Sequence, residues 1–303
     1  MTANRFRAFV NWTRTMVLPH GSEIAEHDYH HVFLRCREDL SGLLGPRLLD
    51  SKILVLGCGY NYPDVVLWSS VARMVVGVDV IHVFWRNGNV ALHYDCQKTC
   101  RTSIACLARG LTQRRIYRQY YDRLRALTGM SLEERFQDLV SYDGFGLPFA
   151  DGVFDVVISN AVLEHVANPM RLMEDALRVT KPSGINYHLW HNYCSLNGAH
   201  ITDNMAEAHP WGHLLGDPEV ESWTQFTKTA LNRVRPEEMV QLLSKFFRPI
   251  HVYGIDRKHA KKGIDADFEY EGEELLTPQL EKKLSQYTRE SLLTRSYLFI
   301  GEK

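Results

Sequence analysis

The sequence predicts an α/β protein with a doubly wound, mostly parallel sheet, and three observations lead to that prediction. Continuous apolar runs of strand length, such as "KILVLG" and "MVVGVDV", alternate with helical patterns along the chain. A glycine turn joins the first of these runs to a helix, as in folds that bind nucleotide-like ligands. The chain has 303 residues, 45% of them hydrophobic, which is enough to bury one large core.

The amino-terminal 48 residues predict a helical lid or packing segment. Apolar positions recur at helical spacing in "SEIAEHDYHHVFLRCREDLSGLLG", and Gly45-Pro46 ends the pattern. Residues 49–303 then form the main predicted domain. It opens with the strand "KILVLG", a helix "PDVVLWSSVAR" with Pro63 in its first turn, and the strand "MVVGVDV", which ends on Asp79.

The alternation is interrupted twice, at about residues 84–135 and 190–233, and both stretches are predicted to be inserts. Between them lie the strands "DLVSYDG", "FDVVISN" and "GINYHLW", and the helix "NPMRLMEDALRVTK" between Asn168 as cap and the turn 181–184. After the second insert come the helix "PEEMVQLLSKFF" and the strands "IHVYGI" and "RSYLFIG". The last strand is expected to run antiparallel, at or near an edge.

Composition excludes several classes of protein. The formal net charge of −1 argues against a non-specific nucleic-acid binder. No uncharged apolar run reaches membrane-spanning length, and the amino terminus lacks the cleavage site of a signal peptide. The cysteines follow neither a disulfide framework nor a zinc-ribbon spacing, which favours a reducing, cytoplasmic location. These cysteines are Cys36, Cys58, Cys96, Cys100, Cys106 and Cys194.

The glycine turn "GCGYNY" favours a nucleoside over a dinucleotide. Gly57 and Gly59 allow close approach of backbone to a ligand, but Tyr62 stands where a dinucleotide fingerprint has its third glycine. Asp79 ends the next strand, where a carboxylate can accept hydrogen bonds from both ribose hydroxyls. The structural alternative for Asp79 is a loop-capping aspartate.

The stretch "YDGFGLPFADGVFDVVISNAVLEHVANPMRLMEDALRVTKPSG" resembles the class I S-adenosylmethionine-dependent methyltransferases. The resemblance rests on the LPF-x-D-x-x-FD pattern, the LEHV motif and the K-P-S-G turn, and it covers residues 51–79 and 140–184. It implies a seven-stranded Rossmann-like sheet, S-adenosylmethionine as cofactor and S-adenosylhomocysteine as product. The cofactor residues that it implies are Gly57, Gly59, Tyr60, Asn61, Asp79, Asp143, Gly144 and Asn160. One departure is Val55, where family members usually carry an acidic residue.

Methyl transfer to a hydroxyl requires a base, and histidine suits that task near neutral pH. The stretch after the strand "GINYHLW" is rich in histidine and lies where acceptors are expected to bind. The candidate bases are His191, His200, His213 and His165. For each of them a purely structural role is the alternative interpretation. No ligand spacing predicts a metal site, although Asp203 and Glu207 lie among these histidines.

Aromatic and basic residues supply the predicted substrate contacts. Trp190, Tyr193 and Trp211 are interleaved with the histidines, an arrangement typical of sugar binding. Arg114, Arg115 and Arg118 belong to a basic stretch predicted to receive an anionic acceptor. A solvated helical face and a nucleic-acid groove are the alternatives for that stretch.

These observations predict an O-methyltransferase acting on a hydroxyl of a sugar, nucleotide-linked sugar or glycan. The segment from His191 to Leu214 resembles methyltransferases of glycan or glycosylated-metabolite pathways. The alternatives are methylation of a non-sugar natural product, an RNA methyltransferase, and a degenerate cofactor-binding subunit. We expect a small-molecule or glycan partner rather than nucleic acid, and no oligomeric state is predicted.

Overall fold

The computed structural model describes residues 21–59, 63–80, 118–129, 139–141, 146–227 and 230–303. The chain divides into two compact units, the first ending at Val156 and the second beginning at Val157. Strand β4 (Phe154–Asn160) contributes residues to both units.

The described part of the first unit begins with a helical segment over residues 21–48, where the sequence predicts helix. An α-helix (Gly21–His27) continues through a π-helical stretch (Asp28–Phe33) into a second α-helix (Leu34–Leu44), followed by a 3-10 turn (Gly45–Leu48). Gly45 has a φ of 55°, a backbone conformation that favours glycine at a helix end.

A helix at residues 118–128 packs against this segment. Buried Tyr120 donates its hydroxyl hydrogen to Asp28 Oδ2 at 2.7 Å, and Arg123 pairs with Glu26. Burial is the main cause that raises the pKa of Tyr120 well above its usual value, and Asp28 adds to it. The phenol therefore stays protonated and serves as a structural donor.

Three parallel strands lie in the first unit in the order β3–β2–β1, where β1 is Lys52–Leu56, β2 is Met74–Asp79 and β3 is Leu139–Ser141. A short helix, Pro63–Trp68, separates β1 from β2 along the chain. The last four residues of β1 are buried, which explains why this strand reads as a continuous apolar run.

The second unit holds the strand order β4–β5–β7–β6, where β5 is Thr180–His191, β6 is Arg248–Ile255 and β7 is Ser296–Glu302. Strand β7 runs antiparallel to both neighbours, so the predicted antiparallel final strand near an edge is confirmed. The architecture is α/β with parallel and antiparallel strand pairs.

The described helices of the second unit comprise seven α-helices and two 3-10 turns. The α-helices are Pro169–Val179, Asp203–Ala208, Gly212–Leu215, Pro218–Thr227, Pro236–Phe246, Pro278–Lys283 and Arg289–Leu293, and the 3-10 turns are Leu163–His165 and Glu273–Leu275.

The transition from helix Pro169–Val179 into β5 differs from the sequence prediction. Asn168 caps the helix as predicted, accepting a hydrogen bond from the backbone N–H of Arg171 at 3.2 Å. The helix ends at Val179, earlier than predicted, because Thr180 is already extended and Pro182 disfavours helical backbone at the residue before it. The predicted turn residues 181–184 therefore fall inside the first part of β5.

The described part of the chain holds no helix with the length and apolar character needed to cross a membrane.

Candidate functional site

The glycine turn after β1 is held to the end of β2 by two hydrogen bonds. Gly57 and Gly59 have φ values of 65° and 67°, which glycine adopts without strain. Between them, Cys58 donates its backbone N–H to the Val78 carbonyl at 3.1 Å. Gly59 donates its backbone N–H to Asp79 Oδ2 at 2.7 Å. The structure thus brings together the two glycines and the carboxylate that the sequence singled out.

The residues of this turn fit a nucleoside. The glycines present backbone without side chains, and the Asp79 carboxylate is an acceptor suited to a ribose diol. Val55 is 1% exposed within β1 and supplies no acidic group. Burial, reinforced by the charge of Asp79, raises the pKa of the Cys58 thiol far above its usual value, so this thiol stays protonated at neutral pH.

Of the other predicted cofactor residues, only Asn160 lies among the described residues. Tyr60, Asn61, Asp143 and Gly144 lie outside the described residues. Asn160 is the last residue of β4, and the next residue, Ala161, has a φ of 52°. This left-handed backbone turns the chain sharply where the strand ends. The cofactor role of Asn160 stays a prediction.

Three of the four predicted bases meet in one place, which we call the histidine cluster: His165, His191 and His200. The His200 ring lies between the other two, with ring centroids 4.9 Å from His165 and 5.1 Å from His191, both in edge-to-face orientation. These residues come from the turn after β4, the end of β5 and the loop that follows. Only the tertiary fold brings them together.

Burial keeps two of these imidazoles neutral. It is the largest cause that lowers the pKa of His191 to about 3 and of His200 to about 4. Neighbouring positive groups, including Arg295, add to both effects. At neutral pH each of the two rings therefore stays neutral and keeps one nitrogen lone pair, although burial lowers the affinity of that lone pair for a proton.

Glu164 belongs to the same site, and sequence reasoning missed it. Its side chain is buried, and its Oε1 accepts the backbone N–H of His191 at 3.2 Å and lies 4.0 Å from His165 Nε2. Burial raises the pKa of Glu164 to about 7. The LEHV motif contains this residue, but the motif occurs in methyltransferases that act on unrelated substrates. The sequence therefore does not show whether Glu164 faces the site or only supports the fold.

Asn232 holds the turn that carries Glu164 and His165. Its side-chain amide donates to the Leu163 carbonyl at 2.6 Å and to the Val166 carbonyl at 2.9 Å. Its backbone N–H donates to the Glu164 carbonyl at 2.8 Å. No sequence motif marks Asn232, because its partners lie more than sixty residues away in the chain.

His213, the fourth predicted base, contacts Tyr193 instead of the histidine cluster. Its Nε2 donates to the Tyr193 carbonyl at 2.8 Å, and the two rings meet edge to face at 5.1 Å. Burial lowers the pKa of His213 to about 4. Arg233 lies over the half-buried Tyr193 ring at 5.8 Å, so this aromatic ring already faces a cation.

Two predicted substrate contacts require correction. Trp190 is 1% exposed and stacks on Tyr297 with a centroid distance of 5.9 Å. Trp211 is fully buried and donates its indole N–H to the Leu292 carbonyl at 3.2 Å. Both rings pack inside the second unit, because large apolar surfaces are stabilised most by burial. Neither presents a face to a sugar.

Of the predicted basic contacts, Arg118 is exposed and is the first described residue of the helical stretch 118–128. Arg114 and Arg115 lie outside the described residues, as do Cys96, Cys100 and Cys106.

Part of the chain matches a known protein family. Residues 116–187 match the protein family described as "Methyltransferase domain". This match covers β3, β4, the turn with Glu164 and His165, and the first part of β5. The match spans less than half of the chain, and it includes the stretch 140–184 that carries the resemblance found in the sequence.

Similar proteins carry the same description. An uncharacterized methyltransferase of Mycolicibacterium gilvum is 48% identical over 59 residues, which are 18% of this chain and 23% of that protein. One of Mycobacterium leprae is 40% identical over 65 residues, 20% of this chain and 24% of its own. The alignments thus span about a quarter of those relatives.

Solved structures give a weak overall likeness. A putative S-adenosylmethionine-dependent methyltransferase from Listeria monocytogenes aligns over 92% of this chain and 97% of its own, with 15% identity and a TM-score of 0.46. At this score the likeness carries no conclusion about function.

Proposed function

We propose that this protein is an S-adenosylmethionine-dependent methyltransferase. The observation that carries the proposal is the hydrogen bond between Gly59 and Asp79, which sets a carboxylate beside a turn of bare backbone. A nucleoside without a pyrophosphate fits such a turn, and the methyltransferase-domain match supports S-adenosylmethionine as that nucleoside. The cofactor supplies a methyl group already activated by its sulfonium, so the protein has to align the acceptor and accept its proton.

We further propose that the acceptor is an oxygen, with a sugar hydroxyl as first choice. The neutral imidazoles of the histidine cluster support this choice, because a hydroxyl must lose its proton as the methyl group arrives. His200 is the leading base, since its Nε2 is buried and makes no hydrogen bond to any residue that the structure describes. His191 is the second candidate. Exposed Arg118 favours an anionic form of the acceptor, such as a nucleotide-linked sugar.

Val55 favours a second candidate function, a cofactor-binding subunit without catalysis of its own. The apolar side chain removes the acid that related enzymes usually direct at the cofactor. Weak or absent binding of S-adenosylmethionine by the isolated protein would support this alternative.

Calorimetric titration of S-adenosylhomocysteine tests the cofactor site. Asp79→Ala removes a charge-assisted acceptor worth about 1.5–3 kcal/mol, so the dissociation constant should rise by roughly 10- to 150-fold. Asp79→Asn keeps the side-chain volume and an oxygen that can accept the hydrogen bond from the Gly59 N–H, but it removes the negative charge. This variant therefore tests the contribution of the charge to ligand binding while the turn stays intact. Asp50→Ala, at an exposed aspartate of the same unit, is the matched control and should bind like the wild type. Unchanged affinity in a folded Asp79→Ala protein would refute the assignment.

Substitution of the four histidines tests the base. Loss of the true base should lower kcat by about 10²–10⁴-fold and leave binding of S-adenosylhomocysteine nearly unchanged. The acceptor is first found by screening nucleotide sugars and glycans for cofactor turnover. If alanine at 165, 191, 200 and 213 in turn never lowers kcat tenfold, these four histidines are excluded as the base.

A further inference from the structure

Glu164, His165 and His200 offer ligand atoms that all lie within 4.8 Å of one another. They are the two adjacent residues of the turn after β4 and one residue of the loop after β5. Two imidazoles with one carboxylate form a donor set that suits divalent transition metals better than magnesium or calcium, which prefer oxygen. Three protein ligands also leave coordination positions open for another molecule.

Two atoms of this group are buried without a hydrogen-bond partner among the residues that the structure describes: Glu164 Oε2 and His200 Nε2. Glu164 is 3% exposed, so solvent does not readily satisfy its second oxygen. A buried polar atom without a partner is costly, and a carboxylate more so than a neutral group. A cation that contacts both atoms would remove both penalties at once.

The third ligand is already oriented for the same role. His165 Nδ1 lies 2.8 Å from the Ala230 carbonyl oxygen. A carbonyl only accepts, so Nδ1 must carry the hydrogen, and Nε2 presents its lone pair on the side of Glu164. Metal-binding histidines usually donate their second ring N–H in this way, which fixes both tautomer and ring orientation.

The charge balance permits a cation. Arg295 is a competing positive group, since it acts on both His191 and His200. Its guanidinium is paired with the Glu271 carboxylate, which offsets its repulsion. Glu164 supplies a carboxylate oxygen to the group, which a bound cation would hold in its ionised form, and His200 supplies an imidazole nitrogen.

We infer that Glu164, His165 and His200 bind one divalent transition-metal ion, such as Zn²⁺ or Co²⁺, and leave open positions for an oxygen of the acceptor. Such an ion would lower the pKa of a hydroxyl bound to it, and because His200 would then be a ligand, His191 would take its place as the base that accepts the acceptor's proton. The binding site itself does not depend on the proposed methyl transfer, because it is formed by residues of the second unit alone.

Metal titration of the purified full-length protein, stripped with a chelator and free of S-adenosylmethionine, tests this inference. Calorimetry with Zn²⁺ and visible absorption with Co²⁺ should both show one saturable site, with a Co²⁺ spectrum typical of nitrogen and oxygen ligands. Glu164→Gln and His200→Asn should each weaken binding by at least about tenfold. Asparagine is chosen at 200 because His200 has a φ of 54°, which asparagine tolerates better than most residues.

The matched control is His251→Asn, at an exposed histidine on β6 outside the group, which should bind metal like the wild type. Should one ligand variant fail to fold, the other decides, because each removes a different donor. Absence of saturable binding in the wild type, or unchanged affinity in the folded ligand variants, would overturn the site. Either result leaves the Asp79 test of the cofactor site intact, and loss of cofactor binding would leave the metal result intact.

Discussion

His188 should make the protein sensitive to acid. This residue lies in β5, is fully buried and shares a 2.8 Å hydrogen bond between its Nδ1 and Ser159 Oγ. Burial lowers its pKa from 6.5 to about 3, so the folded protein keeps the ring neutral. The unfolded chain takes up a proton near pH 6.5, and the folded state does so only near pH 3. The stability that His188 contributes is therefore complete above pH 6.5 and is lost progressively as the pH falls toward 3.

The size of this effect follows from the two pKa values. Between them the unfolded state binds up to one more proton than the folded state, which lowers stability by about 1.4 kcal/mol per pH unit. From about pH 7.5 to about pH 5.5, His188 alone should therefore cost about 1.4 kcal/mol. His191, His200 and His213 add to the acid sensitivity of the wild type in the same direction, since their pKa values are also lowered.

Urea unfolding of the wild type and of His188→Asn at these two pH values isolates the contribution of His188. Asparagine does not titrate in this range, so the variant should lose about 1.4 kcal/mol less than the wild type on acidification, even if it is less stable at both pH values. His251→Asn replaces an exposed histidine and should keep the wild-type pH dependence. Equal losses in the wild type and His188→Asn would show that the ring is not held neutral in the fold.

Two further substitutions test other parts of the structure. Asn232→Ala removes two hydrogen bonds from the turn that carries Glu164, so it should lower the free energy of unfolding by about 1–3 kcal/mol in urea titrations; a loss below a few tenths would show that the turn holds without it. Arg118→Gln should raise KM for an anionic acceptor in steady-state assays and leave affinity for S-adenosylhomocysteine unchanged. An unchanged KM would make Arg118 part of a solvated helical face.

Among the described residues, the sequence by itself determined the strands and several of the helices, because strand and helix signals are local. Apolar runs bounded by turn residues located β1, β2 and β4 within a residue or two, and Asn168 located the start of its helix. The glycine turn and Asp79 were also predictable, since the ends of neighbouring parallel strands meet at one edge of a sheet. The end of the helix before β5 was predicted less well. The helical pattern continues to Lys181 in the sequence, but Pro182 and the extended backbone of Thr180 end the helix at Val179.

The tertiary structure alone decided which polar residues form a site. His165, His191 and His200 lie up to 35 positions apart in a stretch that also contains His188, and only packing brings these three together and directs His213 toward Tyr193. Burial likewise placed the tryptophans Trp190 and Trp211 in the core. The physical reason is that proton affinity, exposure and the presence of a partner depend on everything that surrounds a side chain in space, and most of those neighbours are distant in sequence.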